Sequence, residues 1–365
     1  MRTSEGHGTG DDVITLFGRA PVVHLATTSP DGAPVLRVVH GVVEGGELCF
    51  HAAPVGEKME SVGRAAVVSA EEIVVAIPSW FHHPERACPA TTLFRSAQLT
   101  GTLERVEDPA RKARVLLELM ARFQPEGGYR PIAPDDPMYR AAVEGIAIVR
   151  LARTSSSAKV SLMQEKSDEV RGKVLTALWK RGDPGDLAAI EAIRAAKPDG
   201  ADPAFLTGEG TRLRVCLSPA RLPEAVALLR GLYWNHGIFD DATLAAANRG
   251  ATAWVGAEDA DGRLVATMRA VSDSAKHAWI GDVAVAPELR GRGVGTALLR
   301  LLLDHPAMRH VRRVQLATRD AMRFYAAQGF TVVRLEGDRT IMERVATAAP
   351  APTAAPAPTP ARRSA

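Results

Sequence analysis

The stretch from Ile280 to Asp304, IGDVAVAPELRGRGVGTALLRLLLD, admits few folds. An apolar run ends at Pro287, and a short turn carries Arg290, Gly291, Arg292, Gly293, Val294 and Gly295. A strongly apolar helical pattern over 295–303 follows at once. Glycines at 293 and 295 let backbone approach a ligand with no Cβ in the way, and a helix start presents N–H groups with partial positive charge. Thr296 adds a hydroxyl donor. The turn is thus an anion cradle suited to a pyrophosphate. A dinucleotide-binding loop needs G-x-G-x-x-G with an acidic residue about 20 positions on, and a Walker loop needs Gly-Lys-Ser/Thr; neither spacing is present.

Around this segment strands and helices alternate. Helical patterns cover 223–234, 295–303 and 320–328, and apolar strand runs cover 252–257, 264–272, 278–286 and 314–317, which predicts an α/β layer. Earlier, short β-branched runs at 22–27, 34–43, 47–51, 65–70, 73–77, 94–102 and 146–151 are separated by turn signals such as SPDGAP and EGG. That spacing predicts a mainly antiparallel sheet or barrel, with helices at 109–123, 168–180 and 186–196. The Pro-, Gly- and Asp-rich run near 195–210 separates the two patterns. A chain of 365 residues with 46% hydrophobic and 24% charged residues therefore holds two domains of an α+β protein. The expected division is a barrel with trailing helices over 12–196, a linker over 197–210, an α/β domain over 211–345 and a disordered Ala/Pro tail over 346–365.

Charge and cysteine usage exclude several classes. The net charge of +3 calls for no polyanionic partner, and no basic helix-turn-helix face is evident, so nucleic acid is not expected. No apolar run is long enough for a membrane span, and the polar start lacks a signal-peptide core, which points to the cytoplasm. Cys49, Cys88 and Cys216 are odd in number and unpaired in spacing, so neither disulfides nor a zinc site is expected. His82, His83 and Cys88 lie in one long loop without a second ligand pair; a flexible lid is the simpler reading.

Arg290-x-x-Gly293-x-Gly295 between strand and helix resembles the acetyl-CoA signature of the GNAT acyltransferases, and Tyr325-Ala-Ala-Gln-Gly329-Phe330 is similar to a later helix of that superfamily. LYW, DV-x-V and LATRDA extend the likeness from Leu232 to about Arg344. The resemblance implies a GNAT fold with a mixed central sheet. It also implies that Asp282, Val283, Ala284 and Val285 lie along the pantetheine arm, and that amides of Arg290 to Thr296 hold the pyrophosphate. Transfer to an amine needs a deprotonated acceptor and a protonated leaving thiolate. Tyr325 suits the second task, or simply packs in the core. Asp282 is the candidate base, or else a carboxylate that caps a turn or pairs with an arginine. Asp273, His236 and Glu258 are weaker candidates.

Farther upstream, the order HLATxxxDGxPxxRxV, GxLxFH, Gly-x-Lys and FRSxxxxG resembles the FMN-binding split barrels related to pyridoxamine 5′-phosphate oxidase, of the nitroimidazole-resistance and negative-regulator types. KVSLMQEK and RGDPGDLAAIEAI are similar to the tail of the regulator-like group. This likeness implies FMN held by Arg37 and Lys58, with His51, Arg95 and Ser96 near ring or phosphate, although each could equally be a solvated surface residue. It also implies a homodimer sharing the flavin, and leaves haem as another cofactor. The expectation is an acetyl-CoA-dependent N-acetyltransferase acting on a small-molecule or peptide amine, fused to a flavin-binding barrel. The barrel could alternatively be a flavin or haem sensor, or only a dimerisation module.

Overall fold

The computed structural model describes residues 10–346. The expected Ala/Pro tail, beyond Ala346, lies outside the described residues. Backbone contacts divide the chain into two compact units after Glu165.

The first unit is a seven-stranded sheet of the split-barrel type in the order β2-β1-β5-β6-β7-β4-β3. Its strands are β1 (Val23–Thr28), β2 (Pro34–Val39), β3 (Gly41–Glu44), β4 (Glu47–Ala52), β5 (Ala65–Ile77), β6 (Thr91–Val106) and β7 (Ala147–Ser161). Every pairing among them is antiparallel. Alternate residues face inward, as the pattern of β1 shows, and Leu25, Phe50, Val68, Leu99, Leu103 and Leu151 form the core. Helix α1 (Gly10–Arg19) closes it with Val13 and Phe17. Two short helices, α2 (Glu57–Glu60) and α4 (Arg140–Gly145), flank the strands, and α3 (Pro109–Phe123) is capped by the Asp108 carboxylate on the amides of Ala110 and Arg111. The two runs expected at 65–70 and 73–77 are one bulged strand. Strand β7 continues through the serine-rich 155–157 to pair with the far half of β6.

The second unit carries an eight-stranded mixed sheet. Its strands are β8 (Thr207–Gly208), β9 (Thr211–Arg214), β10 (Ala253–Glu258), β11 (Leu264–Ser272), β12 (His277–Val285), β13 (Arg313–Thr318), β14 (Thr331–Glu336) and β15 (Arg339–Val345). They run in the order β14-β15-β13-β12-β11-β10-β9-β8, and only β12 and β13 pair in parallel. Helices α5 (Asp168–Arg181), α6 (Asp186–Ala195), α7 (Leu222–Arg230), α8 (Asp241–Arg249), α9 (Val294–Asp304) and α10 (Met322–Ala326) complete it. Val294, Leu298, Leu299 and Leu302 of α9 are fully buried, each worth about 1.5–3 kcal/mol of apolar transfer. Among the described residues no helix is long and apolar enough to cross a membrane.

Two expected boundaries shift. Helices α5 and α6, assigned above to the barrel, sit in the second unit, and the expected linker at 197–210 is folded there. Arg194, fully buried, donates to Asp202 Oδ2 at 2.7 Å, to Glu191 and to the Leu213 carbonyl at 2.7 Å. Glu191 also takes Arg214, which pairs with Glu258. Leu206 is completely buried. The Pro/Gly/Asp composition looks like a linker because its aspartate is spent on an arginine too distant in sequence to be read locally.

Removing one partner of a buried ion pair strands the other charge, which costs about 3–5 kcal/mol. Asp202→Ala should therefore lower the urea midpoint of the second unit markedly, whereas a true linker would tolerate it unchanged.

Candidate functional site

The decisive feature is a split in the second sheet. Strands β12 and β13 pair only from His277–Trp279 to Arg313–Gln315 and then separate. From Ile280 onward, the edge of β12 facing β13 carries peptide groups without a strand partner, which need hydrogen bonds from something else. A cavity of about 1240 Å³ fills the gap, lined by Ile280–Val285 on one side and Leu316–Thr318 on the other.

A bulge produces the split. The β11–β12 register slips between Thr267 and Arg269, so Thr267 faces Ala284 while Arg269 faces Gly281. Asp282 occupies the slip at φ +51°, a left-handed conformation that Asp tolerates better than most residues. Its carboxylate accepts from Arg269 Nε at 2.5 Å, Trp234 Nε1 at 3.3 Å and Asn235 Nδ2 at 3.3 Å. Of the two readings open for Asp282, the structure shows the pairing with an arginine. A buried carboxylate paired with a guanidinium and two further donors is a structural anchor whose oxygens are already engaged.

Past Val285 the chain turns into α9. Gly293 is the helix N-cap at φ +88°, and no side chain caps it. The Ala297 amide is the first to bond within the helix, to the Gly293 carbonyl at 3.0 Å, so the amides of Val294, Gly295 and Thr296 have no intrahelical acceptor. Gly291, Gly293, Gly295 and Thr296 line the cavity. The other expected loop residues divide by role. Val294 is wholly buried, Arg290 folds back to donate to the Val285 carbonyl at 3.1 Å, and the Arg292 side chain is exposed away from the lining.

Tyr325, on α10, borders the same cavity with only 6% exposure. Burial pushes its phenol up, and the nearby Tyr233 and Asp320 push it further, so it stays protonated and able to donate. Tyr233 is a site residue that local pattern missed. Its hydroxyl accepts the Arg319 amide at 2.9 Å, and the Arg319 guanidinium sits 3.8 Å from its ring centre. Trp234, Asn235 and Arg269 were missed for the same reason: each reaches Asp282 across elements remote in sequence. The weaker candidates fall away. Asp273 accepts the amides of Ala275, Lys276 and His277, Glu258 is consumed by Arg214 and Arg221, and His236 lies exposed in a loop outside the lining.

In the first unit, the five expected flavin residues do not converge within one chain. His51 of β4 pairs opposite Ile148 of β7, whereas Ser96 of β6 pairs opposite Lys159 of that strand. The separation is roughly 35 Å along β7 at the usual rise per residue. Arg95 is held by Glu72 at 3.1 Å. Arg37 extends from edge strand β2, donating to the Leu36 carbonyl at 2.8 Å. His51 and Lys58 lie near each other: burial lowers the His51 imidazole, and His40 and Lys58 lower it further. Among the described residues of one chain these five are not gathered at one point. In the loop after β5, His83 Nδ1 accepts the amides of Glu85 and Arg86, which is a turn cap.

The pyridoxamine 5′-phosphate oxidase family model matches residues 9–160, and the acetyltransferase (GNAT) family model matches residues 222–330. The second unit belongs to the GNAT family, and the first matches the oxidase-like family model. A solved acetyltransferase of the GNAT family from Xanthomonas campestris pv. campestris is 35% identical, covering 33% of this chain and 84% of its own at a TM-score of 0.29. For the oxidase-like unit, a protein described as a 5-nitroimidazole antibiotic resistance protein from Bacteroides thetaiotaomicron is 16% identical over 40% of this chain and 81% of its own, with a TM-score of 0.33. An FAD and heme binding protein from Mycobacterium smegmatis is 22% identical over 43% and 74%, with a TM-score of 0.36. No curated protein matched the chain.

The anchor reading of Asp282 has a consequence in the GNAT unit. Alanine there would leave Arg269 unpaired and remove the side-chain hydrogen bonds that hold this position in a left-handed conformation costing about 1–2 kcal/mol. Asp282→Ala should weaken acetyl-CoA binding at least tenfold in calorimetry. A base would behave differently, leaving coenzyme affinity intact and removing the acid limb of the pH–rate profile.

Proposed function

We propose that the GNAT unit is an acetyl-CoA-dependent N-acetyltransferase that acylates an amine. The observation that carries this reading is a single cavity bordered at once by the unpaired edge of β12 and the uncapped start of α9. An extended pantetheine arm, itself a chain of amides, suits the edge at Val283, Ala284 and Val285. The pyrophosphate suits the amides of Val294 to Thr296, where three donors and the helix dipole meet two phosphates. The thioester would then lie near Tyr325, at the point where the strands part.

There the acceptor nitrogen, deprotonated, attacks the thioester carbonyl. The C–N bond forms, the C–S bond breaks, and the Tyr325 hydroxyl gives its proton to the departing sulfur. The phenolate recovers the proton that the new amide nitrogen sheds through water. A phenol held neutral by burial suits this acid role.

For the oxidase-like unit we propose FMN, shared between two copies of the chain, because Arg37, His51, Lys58, Arg95 and Ser96 are spread along strands rather than gathered. No redox step is assigned to it. The visible spectrum of the purified full chain checks the proposal: a flavin band is expected, a Soret band would indicate haem instead, and a colourless protein would leave the unit as a scaffold.

Two variants test the transferase reading separately from folding. An added Cβ at Gly295 meets only ordinary contacts, the nearest Val285 Cγ2 at 3.6 Å, so Gly295→Ala should fold normally yet bind acetyl-CoA at least tenfold more weakly. Tyr325→Phe should keep coenzyme affinity and lose at least tenfold in kcat, about 1.4 kcal/mol. Unchanged affinity in the first and unchanged turnover in the second would contradict the assignment.

A further inference from the structure

Five charged side chains line the cavity of the GNAT unit: Arg269, Asp282, Arg290, Asp320 and Arg339. Three are already satisfied. Arg269 and Asp282 hold each other, and Arg290 donates to the Val285 carbonyl. The side chains of Asp320, just past β13, and Arg339, at the start of β15, form no hydrogen bond or ion pair with any described residue, nor with each other. The lining therefore retains one free anion and one free cation on separate elements.

Much of the remaining wall is aromatic. Tyr233 and Trp234 meet edge to face with ring centres 4.8 Å apart, and Phe239 and Trp279 join the lining while remaining 50% and 40% exposed. Large apolar rings left half open to solvent in a concave site gain most from a ligand with its own apolar body. The acid donor Tyr325 faces Asp320, whose charge acts on the phenol. An ammonium drawn to Asp320 thus arrives beside the group that protonates the leaving thiolate.

Resting on the acetyltransferase reading, we propose that the acceptor is a zwitterion, an amine that also carries a carboxylate, with an aromatic or large apolar side chain. Asp320 receives the ammonium before it sheds its proton to water. Arg339 receives the carboxylate, and the aromatic wall receives the side chain. A simple polyamine would leave Arg339 facing a like charge. An acceptor lacking the ring would leave Phe239 and Trp279 uncovered.

The test uses the full chain with acetyl-CoA and three acceptors of one skeleton: phenylalanine, phenylalaninamide and phenethylamine, read by release of the coenzyme thiol. Phenylalanine should exceed the other two at least tenfold in kcat/KM. Arg339→Gln should collapse that preference toward unity through a higher KM for phenylalanine. Arg339→Lys, which keeps the charge, should restore part of it. Equal or better use of phenethylamine, turnover of none of the three, or a preference unmoved by Arg339→Gln would overturn the proposal. Calorimetry of acetyl-CoA on the same wild-type sample separates the two levels. Coenzyme binding without the acceptor preference overturns only the zwitterion, whereas absent coenzyme binding overturns the transferase reading as well.

Discussion

The second unit depends on one aspartate held in a left-handed conformation. Asp282 breaks the β11–β12 register, and three donors from two other elements pin its carboxylate so that the break persists. Without that pin, β12 could straighten and continue pairing with β13 beyond Trp279, since both strands run on past the last paired residue. Backbone strain of this kind survives only where surroundings over-determine it, and it concentrates where a ligand must enter. The cavity, the exposed peptide edge and the placement of Tyr325 all follow from the parting of two strands.

The strands around that opening are stiffened from both sides. Helix α9 buries its leucines against β10 and β11, fixing where its bare N-terminus points. On the other flank, Glu191, Arg194, Asp202, Arg214 and Glu258 form a continuous chain of buried and half-buried charges from α6 through residue 202 to β9 and β10. Such a network contributes geometry more than net stability, because desolvation offsets much of the attraction. It makes residues 166–206 part of the acetyltransferase unit, although their composition suggests a connector.

Local chemistry was legible in the sequence and long-range pairing was not. The pattern predicted a helix over 295–303, and α9 spans Val294–Asp304, because a glycine turn opens it, Pro306 follows its end and its apolar face is continuous. Tyr325 was legible for the same reason, since its helix follows a turn. For Asp282 the pairing with an arginine was one of two readings open from sequence, but its partner was not legible, because Arg269 reaches it across a strand pair whose slip no linear pattern reveals. Arg339 gave no signal, and Asp320 only as part of the LATRDA likeness: each looks like an ordinary surface charge until the topology places both on one cavity. In the first unit, the polar 155–157 run forms a strand because its partner β6 is long enough to require one, which overrides its weak intrinsic preference.

The central claim is that coenzyme occupies the free edge of β12 and the bare start of α9 together. Hydrogen–deuterium exchange of the full chain, with and without acetyl-CoA, reads both places in one experiment. Slowed exchange confined to amides near 283–285 and 290–297 is the predicted result. Protection elsewhere, or exchange in these two segments indifferent to saturating coenzyme, would contradict the account.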